Sequence, residues 1–128
     1  MTRYKSQGFN NTFKNARKGF NLAVRSEINI RIHVAVALIV LLAAWFLKFS
    51  AVEFCLVLFA IAMVICAEML NTAIEFALDS IYHNRYSRMV GMAKDISAGA
   101  VMFATVISVI IGLILFGGKI LVLTNIIS

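Results

Sequence analysis

Three long apolar stretches alternate with short polar ones along the chain, and an amphipathic stretch precedes them. Residues 8–26 carry Phe9, Phe13, Ala16, Phe20, Ala23 and Val24 at helical spacing on one face, with Lys14, Lys18, Asn21 and Arg25 opposite. This pattern predicts a helix lying in the headgroup plane with its apolar face down, or one packed on the protein's own helices. A first span is expected at 30–49, apolar from Val34 to Leu47 and edged by Arg31, His33, Trp45 and Lys48. A second is expected at 51–78, continuously apolar from Phe54 to Ala67, and a third at 96–116, ended by Gly117-Gly118. About 20 apolar residues suffice to cross a hydrocarbon core. The Lys48–Glu53 linker predicts a tight hairpin between the first two spans, whereas Asp79–Asp95 reads as a polar loop.

Composition sharpens this picture. Hydrophobic residues make up 62% of the 128-residue chain and charged residues 14%, against roughly 45–50% and about 25% in ordinary globular proteins. Too few polar side chains remain to cover a soluble globule, so the expected fold is an all-α integral membrane domain over residues 1–128. The chain has no proline, so nothing obliges a long helix to break. Cys55 and Cys66 lie in one apolar segment, about 16 Å apart along a helix, too far for a disulfide between them. The basic leader is too long for a cleavable signal, and the first apolar run is long enough to span.

Charge sets an expected orientation. Residues 1–31 hold seven Lys/Arg and one Glu, whereas the rest of the chain has five bases and five acids. A basic block directly before an apolar span reads as a membrane-surface anchor rather than a nucleic-acid site. Three further bases fall in 79–95, one in 48–53, and only Lys119 beyond the third span. The positive-inside rule then places the leader and 79–95 in the cytoplasm, and the hairpin and C-terminus outside. Ala100, Ala104, Ser108 and Gly112 form a small-residue ladder on the third span, suited either to contact between subunits or to packing on spans one and two.

The chemistry is concentrated at the end of the second span. On a helix, Glu68, Asn71, Glu75 and Asp79 fall within one stripe about 80° wide, while the other faces are apolar. Carboxylates inside a membrane cost several kcal/mol each and persist when paired, metal-bound or functional. Glu27, where the surface helix meets span one, is expected at a depth close to Glu75. Two carboxylates are what Mg²⁺ commonly takes from a protein, so this is a candidate metal pair, unless Glu27 only pairs with Arg25 or Arg31. Glu68 lies two turns deeper among apolar neighbours and suits a general base facing a lipid headgroup. Lys94-Asp95 opens the third span as an anion-friendly corner; the plainer readings are snorkelling for Lys94 and helix capping for Asp95. His33 and His83 are too far apart to read as a metal site and are expected as interfacial polar residues. No Walker-type, dinucleotide-binding or H-E-x-x-H motif occurs. A small transporter or proton relay using Glu68 and Glu75, and a non-enzymatic helical assembly module, are the competing readings.

Those residues carry a resemblance. The chain resembles the small bacterial membrane lipid kinases, diacylglycerol kinase and undecaprenol kinase, over roughly residues 13–117. Glu68-Met69-Leu70-Asn71-Thr72-Ala73-Ile74-Glu75 fits that family's E-x-x-N-[ST]-A-I-E signature, supported by Lys18-Gly19, Glu27-x-x-x-Arg31 and Ala93-Lys94-Asp95. The resemblance implies a homotrimer in the bacterial cell membrane, with composite sites at subunit interfaces and transfer of the ATP γ-phosphate to a lipid hydroxyl. It implies Glu68 as base, Glu27 and Glu75 as Mg²⁺ and nucleotide ligands, and Lys94 and Asp95 at the nucleotide phosphates. Asn71 and Ala98 join Glu68 on the acceptor side. The chain is more similar to the undecaprenol branch, because His33 stands where the other branch usually has an acid and Ile96-Ser97-Ala98-Gly99-Ala100-Val101 stands where that branch has a Gly-Ser after its Lys-Asp-x. It also lacks that branch's nucleotide-contacting Arg near Gly8, and its loop before Lys94 is one residue longer. The implied acceptor is undecaprenol, with diacylglycerol the alternative.

Overall fold

A computed structural model describes residues 8–127; Arg3 and Lys5 of the basic leader lie outside them. The described residues form four helices, α1 (Phe9–Ser26), α2 (Ile28–Phe46), α3 (Ala51–Tyr82) and α4 (Arg88–Ile127). Three of these, α2, α3 and α4, are long and apolar enough to cross a membrane. A single extended residue, Glu27, separates α1 from α2, with φ −121° and ψ 119°. Its carboxylate therefore sits at the corner where the chain turns from one helix axis to the next.

The hairpin between α2 and α3 is built from local signals. Leu47 closes α2, Lys48 adopts φ 56°, and Phe49 turns inward and is buried. Ser50 then caps α3. Its Oγ accepts from the Glu53 N–H at 3.2 Å, and its own N–H donates to Glu53 Oε2 at 3.0 Å. This reciprocal box satisfies two of the N–H groups a helix start leaves without partners. Glu53 Oε2 also lies 3.2 Å from Lys119 Nζ on α4, and the Phe49 ring centroid is 4.7 Å from that of Phe116. The C-terminal half of α4 is thus tied to the hairpin.

Both long helices exceed their expected lengths. With 32 and 40 residues, α3 and α4 run about 48 and 60 Å, against a hydrocarbon core of about 30 Å. The polar segment 79–95 is therefore mostly helix, the projecting end of α3 and the first turns of α4, bridged by residues 83–87. Ser87 starts α4 by accepting from the Val90 N–H at 3.1 Å. Nor does Gly117-Gly118 end the third span; α4 continues to Ile127. Each interior glycine costs only about 1 kcal/mol relative to alanine. The surrounding helical hydrogen bonds and the Lys119 anchor outweigh that, and no described glycine has positive φ.

The core is thin and built largely from small residues. Ala37 and Ala44 of α2, Val57, Ala60 and Val64 of α3, and Ala104 of α4 are buried, whereas Phe59, Phe103 and Leu113 are exposed. In a bilayer such side chains meet lipid or another subunit rather than water. The small-residue ladder works at least partly within the chain: Ala104 is buried, and Ser108 donates to the Ala60 carbonyl of α3 at 3.0 Å.

Candidate active site

The inward face of α3 follows one register, with Val57, Ala60, Val64, Glu68 and Thr72 all buried. The stripe is apolar over its first two turns and polar afterwards. Glu68 is the point of change, its side chain only 9% exposed. Three neighbouring groups meet the polar part of the stripe. Opposite Glu68, His33 of α2 brings Nε2 to 3.3 Å from Oε1. One turn on, Asn71 Oδ1 accepts from the Ser97 hydroxyl of α4 at 2.6 Å, with the Lys94 carbonyl 3.0 Å from the same hydroxyl. Two turns beyond that, Asp79 Oδ1 accepts from Lys94 Nζ at 2.7 Å.

Glu75 lies between the Asn71 and Asp79 bridges along α3, half-buried and in no side-chain hydrogen bond or ion pair among the described residues. Glu27 is likewise half-buried and makes no such bond or pair among them. Helix α1 packs against α3 as well as α2. Carboxylates without bonded protein partners are suited to a hard cation, which takes oxygen ligands.

Lys94 and Asp95 do not open the helix. They sit six and seven residues inside α4, whose start is capped by Ser87. The free N–H groups of the first turn therefore belong to residues nearer Arg88, and Asp95 is not an N-cap. Lys94 holds its place through Asp79, and both line a polar cleft of about 280 Å³ with Arg85, Tyr86 and Asp95. On the deeper side, an apolar cavity of about 360 Å³ lies between α2, α3 and α4, with His33 in its wall. The site thus has an apolar approach, a buried carboxylate at its head, and a polar ladder leading to a cleft with two cations.

Two residues of the site are given no site role by the sequence: His33, expected as an interfacial polar residue, and Ser97. The signal that could find His33 is its register: with Ile30, Ala37 and Ala44 buried, position 33 falls on the inner stripe of α2. Ser97 stands one turn beyond Lys94 on the face that meets α3. Ala98 is exposed, so within the chain α4 presents Ser97 rather than Ala98 to the stripe.

Residues 14–116 match the family described as prokaryotic diacylglycerol kinase. The chain is 36% identical over 108 residues to an undecaprenol kinase of Bacillus subtilis (strain 168), covering 84% of this chain and 87% of that one. It is 33% identical over 101 residues to a diacylglycerol kinase of Synechocystis, covering 79% of this chain and 58% of that longer protein. It is 36% identical over 94 residues to the diacylglycerol kinase of Escherichia coli (strain K12), covering 73% and 75%.

Proposed function

The chain belongs to the prokaryotic diacylglycerol kinase family and is a membrane lipid kinase; from that premise we propose that it transfers the γ-phosphate of ATP to the hydroxyl of undecaprenol. The observation that carries the chemistry is Glu68, a buried carboxylate between an apolar cavity and a polar ladder. The hydrocarbon next to the acceptor hydroxyl lies in the apolar cavity, and the hydroxyl reaches Glu68. The carboxylate takes the hydroxyl proton as the oxygen attacks the γ-phosphorus. The bond from that phosphorus to the β-phosphate oxygen breaks, releasing ADP and the phosphorylated lipid. Phosphoryl transfer asks a protein mainly for positioning and charge neutralisation, and this ladder suits both.

Glu27 and Glu75 would hold Mg²⁺, because both are carboxylates without a bonded protein partner at the site. When bound, the ion neutralises phosphate charge. Lys94 and Asp95 line the cleft that takes the nucleotide phosphates, with Arg85 beside them. Asn71, held by Ser97, keeps the stripe ordered between base and metal carboxylates. The acceptor role of Ala98 rests on the family resemblance and requires lipid, or a neighbouring subunit, at its exposed face. A homotrimer with sites shared between subunits accounts for the large exposed side chains of α3 and α4.

The proposed placement has α1 on the cytoplasmic surface of the cell membrane, its Phe9 and Phe13 exposed and facing the bilayer. The 83–87 turn is cytoplasmic and the hairpin outside. In a background lacking Cys55 and Cys66, an impermeant thiol reagent added to whole cells should label a cysteine at position 50 but not one at 84; the reverse pattern inverts the orientation. For the reaction, purified protein with labelled ATP, Mg²⁺ and either undecaprenol or diacylglycerol should phosphorylate undecaprenol more efficiently. Preference for diacylglycerol would assign the protein the activity for which its Synechocystis and Escherichia coli relatives are named. Absence of any lipid product, alongside ion flux, would favour the transporter reading.

A further inference from the structure

We propose that His33 is a positioning residue for the Glu68 base, a role that rests on the reading of Glu68 given above. Nε2 of His33 lies 3.3 Å from Oε1 of Glu68, and no other side chain among the described residues makes a hydrogen bond or ion pair with that carboxylate. A glutamate side chain has three rotatable torsions, and the last, which sets the carboxylate plane, is broad. A partner held against one oxygen selects one orientation of the plane and leaves Oε2 to meet the acceptor hydroxyl. The partner here is itself well placed. His33 sits between buried Ile30 and Ala37 on the inner stripe of α2, with its side chain 29% exposed.

The surroundings give the imidazole this task by exclusion. Its cavity is lined almost wholly by aliphatic groups, and the two hydroxyls in the wall are committed to backbone: Thr105 donates to the Val101 carbonyl at 2.8 Å and Ser108 to the Ala60 carbonyl at 3.0 Å. Thus His33 is the one polar group of the cavity wall directed to the base. An acceptor alcohol arriving along this cavity meets the imidazole in its wall, with the Glu68 carboxylate 3.3 Å from Nε2. The imidazole Nε2 then stays paired with Oε1, and the proton leaving the alcohol goes to Oε2. No electrons or protons are lost from the balance of the transfer.

The test uses the detergent-solubilised full-length protein with labelled ATP, Mg²⁺ and undecaprenol. Glutamine presents its amide nitrogen at about the reach of Nε2, whereas asparagine presents one near the Nδ1 position. We expect His33→Ala and His33→Asn to lower kcat about 10- to 100-fold, the range that small misplacements of reacting groups cost. KM for Mg-ATP should stay unchanged, and His33→Gln should recover most of the rate. Adding His33→Ala to Glu68→Gln should cost nothing further, because the two act through one group. Wild-type kcat in His33→Ala, or equal rates for the Gln and Asn variants, would overturn the proposal while leaving the base intact. High turnover in Glu68→Gln would instead remove the base reading, and this proposal with it. If the alanine variant fails to assemble, the Gln–Asn comparison still decides the matter.

Discussion

Helices α3 and α4 are clasped at both ends by an ion pair, and the two clasps differ in what surrounds them. At the hairpin end, Glu53 meets Lys119 at 3.2 Å, and both charges are committed locally. Glu53 also completes the cap of α3, and Lys119 Nζ lies 5.7 Å from the Phe49 ring centroid. At the other end, Asp79 meets Lys94 at 2.7 Å, yet Glu75 and Asp95 nearby are in no side-chain hydrogen bond or ion pair among the described residues. A clasp that consumes all its charges serves structure. One that leaves carboxylates without a hydrogen bond or ion pair beside a cleft lined by Lys94 and Arg85 retains capacity for a ligand.

The contrast breaks first at Glu68. Replacement by Gln keeps the shape and removes the proton acceptor, so lipid phosphorylation should fall about 10²–10⁴-fold. Mg-ATP binding should be largely spared, and measuring both in one preparation separates the base from the nucleotide site. Near-normal turnover would make Glu68 a helix-packing group. Next in size are Glu27→Gln and Glu75→Gln. Each should weaken metal-dependent ATP use by at least the roughly 10- to 100-fold that loss of an outer-shell partner costs a metal site. A titration of activity against Mg²⁺ checks this, and an unchanged curve in either variant would dissolve the metal pair.

Smaller effects sharpen the distinction between the two ends. Ser97→Ala removes the 2.6 Å bond to Asn71 and should cost about 1 kcal/mol of stability together with a modest loss of rate. Thermal unfolding and kcat measured together would read both. Ser50→Ala should cost about 1 kcal/mol by removing the cap of α3, with kcat unchanged. A fall in kcat at Ser50 comparable to that at Ser97 would mean that the hairpin end is coupled to the chemistry after all.

The polar stripe is legible in the amino-acid order, because Glu68, Asn71, Glu75 and Asp79 share one helix and their relative directions follow from 3.6 residues per turn. The three spanning helices are legible for a similar reason: apolar runs of this length are rare outside membranes. Helix ends are harder. Gly117-Gly118 looks like a stop, but glycine ends a helix reliably only where the backbone turns left-handed, and here it does not. Residues 79–95 look like a loop because they are polar, whereas most of them continue α3 and begin α4.

The order of residues along the chain is therefore enough for the local part: helix periodicity, the basic N-terminal segment, the apolar spans and the residues sharing a face. Which groups meet across helices is settled only by the packing, which places His33 on Glu68, Ser97 on Asn71 and Lys94 on Asp79. The reason is geometric. Periodicity determines directions within one helix, but the rotation and axial shift of one helix against another depend on how their small residues interdigitate. A rotation of one residue, about 100°, would turn His33 away from Glu68 and leave the composition and every span unaltered.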